Sequence, residues 1–338
     1  MLSTRAPTYS SRSAWVARFL IRRILQGLLV LWLMTVTVFL IFFVGPGPGA
    51  VARTLAGREA TPQVVAEVSR RLLLNRPIYV QYLHFLDLLV LHGNLGHDYY
   101  HDQSVNSIIA AALPITLSLV VGASVVWLFL GTMAGVVSAV KTRSFSDRAL
   151  TGLALLFYSM PSFVLGLLLI LGLYYEFTIH HVSIFPAPGT WVPFTQNPLQ
   201  WAHVLILPWL TLALVYAATY TRLTRGSMLD VFGEDYIRTA RSKGMSERRV
   251  IFRHNLRASL TPIVTQFGLD VGGLIGGAVL TETVFALPGI GYTAINAIYQ
   301  QDLPVVIGVV IVASAGVIVA NMLVDMCYVL LDPRVRLH

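Results

Sequence analysis

Six long, mainly apolar runs restrict what this chain can become more than any other feature: approximately Ile24 to Val44, Thr116 to Val140, Ala149 to Phe177, His203 to Thr221, Leu260 to Val284 and Val305 to Leu331. A helix that crosses the ~30 Å hydrocarbon layer of a bilayer needs about 20 such residues, and each run supplies roughly that length. An apolar share of 56% and a mean hydropathy of +0.70 over 338 residues exceed what a water-soluble core requires. The reading is an all-α integral membrane protein. Arg22 and Arg23 precede the first run, but its length and the lack of a small-residue cleavage site after it mark an anchor rather than a removable signal peptide. Cys327, in the last run, is the only cysteine, which excludes an intrachain disulfide.

Orientation follows from the basic residues, because Lys and Arg accumulate on the cytoplasmic side. With the N-terminus inside, 19 of the 24 basic residues fall in cytoplasmic segments, and only Arg53, Arg58, Arg70, Arg71 and Arg76 lie outside. Both termini are therefore expected in the cytoplasm. The net charge of +8 reports topology and anionic headgroups, and gives no reason to invoke nucleic acid.

Between spans, GPGPG (Gly45 to Gly49) marks an exit from the membrane. Thr61 and Pro62 open an amphipathic outer helix with Val64, Val68 and Leu72 on one face, closed by Asn75 and Pro77. A second, with Tyr79, Tyr82, Leu83 and Leu86 on one side, runs to about Leu91. The Pro- and aromatic-rich loop from Thr178 to Trp201 and the segment from Glu282 to Asp302, with its Leu-Pro-Gly-Ile-Gly turn, are also expected outside. The division is residues 1–112, holding the first span and outer helices, and 113–338, a core with five spans.

One cytoplasmic insert, 222–257, is highly charged: nine basic and four acidic residues among 36 positions. In EDYIRTARSKG, Tyr236, Ile237 and Ala240 share a helical face, and Gly244 suits a left-handed C-terminal cap. Ser246 and Glu247 can start a second helix, with Phe252, Leu256 and Leu260 on one stripe and Arg249, Arg253 and Arg257, placed for phosphates, on the next. Helix, glycine turn, helix is the pattern of a docking element with an apolar tip and a charged rim. A basic loop is also what orientation alone demands.

DYIRTARSKG followed by SERRVIFRHNLRASLTPI resembles the cytoplasmic coupling loop of bacterial ABC importer permeases of the dipeptide/oligopeptide (peptide/nickel) family, the first-permease type. RPIYVQYLHFL, GNLGHDY, LPITLSL, SMPSFVLGLLLI, TETVFALPGIG and LVDMCYVLLDPRVRL follow in that family's order, so the similarity runs from about Arg18 to the C-terminus. Arg238, Thr239 and Ala240 replace the general Glu-Ala-Ala, and HDYYHD (His97 to Asp102) stands where arginine and serine are expected.

The resemblance implies a type I ABC importer permease fold with six spans, in the bacterial plasma membrane. It implies a heterodimer with a homologous second permease, two ATP-binding cassette ATPase domains bound from inside, and an extracytoplasmic solute-binding protein. It assigns ATPase coupling to Asp235, Tyr236, Ile237, Arg238, Thr239, Ala240, Arg241, Lys243 and Gly244. ATP and Mg would reside on the partner ATPases, with no cofactor on this chain. The substrate would be a di- or oligopeptide, with nickel chelate, glutathione or haem as alternatives.

Ser159, Pro161, Asp270 and Glu282 are candidates for the substrate path. Asp270 sits mid-span, where a carboxylate is costly and faces a cavity or partner, and could meet a peptide ammonium group; a structural hydrogen bond explains it equally well. Asp325 has a structural reading, and Pro161 and Pro208 are expected to kink their helices. Gly272, Gly273, Gly276 and Gly277 form a small-residue face suited to close packing or to the second permease.

His97 and His101 with Asp98 and Asp102 suggest a metal face, but a solvated turn explains them more simply. No metal is assigned there or at His180 and His181. Neither of the two lysines follows a glycine, so there is no phosphate-cradling GxxxxGK loop, and no HExxH or GxSxG supports a hydrolase. The expected role is non-catalytic. The competitor is a proton-coupled secondary transporter using Asp270, Glu282 or Asp325.

Overall fold

The computed structural model describes residues 9–56, 61–98 and 102–331. The chain divides into two compact units: Met1–Asn106 with Gln301–Leu323, and Ser107–Gln300 with Val324–His338.

In the first unit, helix α1 (Tyr9–Phe39) continues as a π-helical turn over Leu40–Val44. The GPGPG stretch interrupts it only briefly, since Pro48, which has no N–H to leave unpaired, opens α2 (Pro48–Ala56). Helix α3 (Pro62–Arg71) starts where the sequence indicates, with the Thr61 hydroxyl accepting from the Val64 N–H at 3.5 Å. It stops earlier than Asn75: Leu73 adopts φ +56°, and Leu74 N–H reaches back to Ser69 O at 2.9 Å. Only Val68 of the expected face is buried, against Val51, Ala52, Leu55 and Leu74, while Val64 is exposed.

Helix α4 (Ile78–Leu86) and the π turn Asp87–Leu91 divide the expected face: Tyr79 and Leu83 are exposed, Tyr82 and Leu86 are half-buried, and Gln81 is buried. The Gln81 amide decides this by donating to Leu74 O (3.1 Å) and Arg76 O (2.8 Å), two carbonyls of the α3 to α4 turn. Tyr82 meets the Phe39 ring edge-on, and Phe85 lies tilted against it. A two-residue hairpin, β1 (His97–Asp98) with β2 (Gln103–Ser104), leads into α5.

Helix α5 (Val105–Val140) has no charged residue in 36 positions. In the second unit it packs on α9 (Pro198–Phe232) through glycines: a Cβ at Gly131 would meet Ala217 O at 2.8 Å, and one at Gly135 would meet Thr221 O at 2.8 Å. Trp209 lies over Gly122 and donates to Ser118 O at 3.0 Å. These glycines provide the close approach of α5 to α9; of the expected small-residue face of α12, Gly273 has open space beside it, Gly272 is buried, and the surroundings of Gly276 and Gly277 lie outside the described residues. Val121, Val125 and Phe129 leave an apolar stripe of α5 uncovered. The core gathers Leu119, Trp127, Leu205, Ala213, Tyr220, Ile263 and Leu287.

The third apolar run is two helices, not one kinked span: α6 (Phe145–Ser159) ends where Met160 turns extended before Pro161, and α7 (Ser162–Leu169) restarts, continuing through a π turn (Ile170–Tyr175) into α8 (Glu176–Ile179). Pro208, by contrast, is buried inside the uninterrupted α9. The remaining helices are α10 (Asp235–Ser242), α11 (Glu247–Arg249) with a π segment Val250–Asn255, α12 (Leu256–Gly277), α13 (Val279–Val284), α14 (Ile290–Gln300) and α15 (Leu303–Leu331). Five stretches of the described residues are long and apolar enough to cross a membrane: Ile21–Val44, Val105–Val140, Ser162–Ile179, Pro198–Phe232 and Leu303–Leu323. The fifth apolar run is divided at Ala278 between α12 and α13.

Candidate functional site

The charged insert folds as a short projecting helix held from behind. Helix α10 carries Asp235 in its first turn and Arg241 in its last, both favourable to the helix dipole. It ends in a Schellman cap: Met245 N–H bonds Ala240 O at 3.3 Å and Gly244 N–H bonds Arg241 O at 2.9 Å. Gly244 at φ +75° takes the left-handed conformation this closure needs.

The apolar face of α10 does not form the tip the sequence suggested. Ile237 is 0% exposed and Ala240 is buried, packed with Val250 under Val231, Phe232 and Met245. Helical periodicity identifies an apolar face but not what covers it, and here the chain covers it itself. Tyr236 lies off that face and is 46% exposed. The outward surface is thus Asp235, Tyr236, Arg238, Thr239 and Lys243. The Arg238 to Asp235 pair at 3.6 Å is fully wet and contributes little.

Arg241 works inward. Its guanidinium holds Glu247 at 2.8 and 3.4 Å and lies 5.4 Å from the Phe232 ring centre, tying α10 to α11 and α9. Glu247 therefore serves Arg241, and Ser246 makes no side-chain cap. Behind this, the buried Asn255 amide donates to Met228 O at 3.0 Å, and Ser259 donates to Asn255 O at 3.0 Å.

Further back, Arg225 of α9 grips Asp147 of α6 through Nε to Oδ1 (2.9 Å) and a second nitrogen to Oδ2 (3.1 Å). Ser138 also donates to Asp147, as does the Arg143 N–H at 2.8 Å. The Arg225 hydrogen bonds, then those of Ser138 and Arg143, hold the Asp147 carboxyl well below the usual carboxylate range. Sequence reading passed over Asp147, Arg225 and Asn255. The one available signal was Ser144, an N-cap three residues ahead of Asp147.

The four path candidates are held separately, and among the described residues no hydrogen bond joins them. Ser159 is exposed and donates to Leu155 O at 2.9 Å, and Pro161 is exposed at the α6 to α7 break. Asp270 accepts from Tyr220 (2.9 Å) and Gln266 (2.9 Å) beside the ring cluster of Trp127, Tyr216, Tyr220 and Phe267. Glu282 is 0% exposed, and its oxygens accept from Thr116 (2.6 Å) and from the Tyr292 N–H (3.0 Å). Thr116 in turn accepts from the Ile290 N–H at 2.8 Å. A Cβ at Gly289 would collide with the Glu282 carboxyl, and one at Gly291 would meet Val279 Cα at 2.7 Å. Glu282 is thus the staple that closes the Leu-Pro-Gly-Ile-Gly turn onto α5, not a group open to a path.

His97 lies on a strand, its Nε2 2.9 Å from Asp102 Oδ1. His101 and the side chain of Asp325 lie outside the described residues. His180 is exposed, 4.0 Å from Glu176.

Residues 131–337 match the family described as binding-protein-dependent transport system inner membrane component, and residues 16–120 match its N-terminal counterpart. The chain belongs to this family. Among its relatives, a probable peptide ABC transporter permease protein of Sinorhizobium fredii is 38% identical over 94% of this chain and 99% of its own length. A putative peptide transport system permease protein of Brucella abortus is 38% identical over 94% of this chain and 98% of its own length. The glutathione transport system permease protein GsiC of Escherichia coli is 37% identical over the same shares, 94% and 98%. The chain is therefore a multi-pass membrane component of an ABC importer and not an enzyme.

Proposed function

We propose that this chain is one of two homologous permease subunits that carry di- or oligopeptides inward across the bacterial plasma membrane by alternating access. With six spans, counting the α12 to α13 run, both termini share one side, and the bias of basic residues argues that this side is the cytoplasm; residues 113–338 form the permease core. Two partner ATPase domains hold ATP and Mg, and an extracytoplasmic binding protein delivers the peptide. The exposed face of α10, centred on Tyr236 and Arg238, seats in an ATPase domain. Ile237, Ala240, Arg241 and Gly244 make the helix rigid with the bundle, so that ATPase closure moves the spans.

The observation that carries this reading is the way α10 is built. A helix with its apolar side sealed by its own chain, a Schellman stop and an arginine clamp behind it is a rigid lever with a polar outer surface. Near full-length identity to proteins named peptide permeases supports the substrate class. Asp270, with Ser159 and Pro161, stays in the proposed path, where a carboxylate held by Tyr220 and Gln266 can receive an ammonium group.

The test is reconstitution of the chain with its second permease, ATPases and binding protein in proteoliposomes. ATP-dependent uptake of a labelled dipeptide exceeding that of glutathione supports the reading. Uptake by the chain without ATPases along a pH gradient overturns it.

A further inference from the structure

Apart from Lys243, exposed at the end of α10, the basic residues of the charged insert fall into two groups. Arg225 pairs with Asp147, Arg238 with Asp235, Arg241 with Glu247, and Arg222 lies 4.1 Å from the centre of the Tyr158 ring. Arg248, Arg249, Arg253 and Arg257 are all exposed and form no ion pair among the described residues. These four follow one another along α11, the π segment and the first turn of α12. Arg249, Arg253 and Arg257 recur every fourth residue across the π segment. Beside them Phe252, 47% exposed, lines an open cleft with Ser246, Arg248 and Arg249.

From this arrangement we infer that the arginine ladder binds the phosphates of anionic phospholipids in the cytoplasmic leaflet, with the Phe252 ring beside it at the headgroup boundary. The inference rests on the proposed topology, which puts this end of α12 at the inner surface.

Three features favour lipid over an acidic protein surface. The ladder leads directly into the apolar helix α12, so its rungs approach the depth at which headgroup phosphates lie. An exposed aromatic ring beside unpaired arginines is the composition of an interfacial helix. Of the insert's acidic residues, Asp235 and Glu247 face arginines of the α10 lever, and among the described residues none pairs with the ladder. The guanidinium fork matches phosphate oxygens in pairs, so several rungs together can retain a headgroup where one could not.

The experiment uses the assembled complex in nanodiscs, probed with photoactivatable phosphatidylglycerol or, in parallel, photoactivatable phosphatidylcholine, with labelled peptides mapped by mass spectrometry. We expect labelling of 248–257 by phosphatidylglycerol on the order of tenfold above phosphatidylcholine, given the strength of basic residues at anionic surfaces. The Arg249→Gln/Arg253→Gln/Arg257→Gln variant should lose that excess, and the matching Lys variant should restore it, which separates loss of charge from loss of fold. Equal labelling by the two lipids overturns the inference, as does phosphatidylglycerol labelling unchanged in the Gln variant. Labelling seen in the isolated chain but blocked when the ATPases are bound assigns the ladder to a protein partner and also overturns it. None of these outcomes bears on ATP-driven uptake, so the failure of one reading is distinguishable from that of the other.

Discussion

Arg225 and Asp147 form a two-pronged ion pair, 2.9 and 3.1 Å, between the C-terminal part of α9 and the first turn of α6. It lies behind the charged insert and fixes the end of the helix from which α10 projects. Arg225→Met leaves Asp147 with Ser138, the Arg143 N–H and, at 3.5 Å, the Thr151 hydroxyl, and should lower the melting temperature of the purified chain. Asp147→Asn in the same background should recover part of the loss, because the unpaired charge is then removed.

The same pair sets a pH dependence. The folded-state pKa of Asp147 is depressed, so its stabilisation is fully present above the ordinary value of 3.8 and is lost as pH falls below that toward the folded value. The stability difference between the wild type and Asp147→Asn should therefore be constant near neutrality and close in strong acid. Thermal melts of both proteins across that range check this.

Ile237 and Tyr236 are neighbours with opposite expected effects. Ile237→Ala empties a fully buried site and should cost about 2–5 kcal/mol of local stability, seen as faster amide exchange over α10. Tyr236→Ala removes an exposed ring, so exchange should be unchanged while coupling of ATP hydrolysis to uptake falls.

Gly244 gives a graded series. Gly244→Ala places a Cβ at φ +75°, costing about 1–2 kcal/mol, whereas Gly244→Asn should cost less because its side chain tolerates that conformation. Uptake should follow the order Gly, Asn, Ala.

At the opposite end of the core, Gly289→Ala forces the Glu282 carboxyl aside and should destabilise by about 1–3 kcal/mol. Glu282→Gln substitutes an NH2 donor at a site where Thr116 and Tyr292 both donate, and should also lower the melting temperature. If Glu282 relayed protons instead, Glu282→Gln would change the pH profile of uptake and leave stability alone.

Legibility in the sequence followed how local each cause is. Thr61 with Pro62, and Gly244, mark helix ends through neighbours within a few residues, and the structure has those ends. Five of the six apolar runs contain a stretch able to span, because length and composition suffice for that. Pro161 and Pro208 show the limit: both interrupt backbone hydrogen bonding, but only Met160 before Pro161 turns extended. The partners of Glu282 and Asp147 lie up to 166 residues away, so no local pattern could have shown that one closes a loop and the other holds Arg225. The face of α10 was readable, but its covering by Val250 and Phe232 was not.

The central claim is that the exposed face of α10 receives motion from the ATPases. Its most direct test is ATP-driven dipeptide uptake by the reconstituted complex carrying Tyr236→Ala with Arg238→Glu, two exposed changes that leave the Ile237 and Ala240 packing untouched. The account predicts that the variant inserts and assembles its spans normally while uptake collapses and hydrolysis no longer responds to loaded binding protein. Uptake at the wild-type rate, with hydrolysis still stimulated, would contradict it.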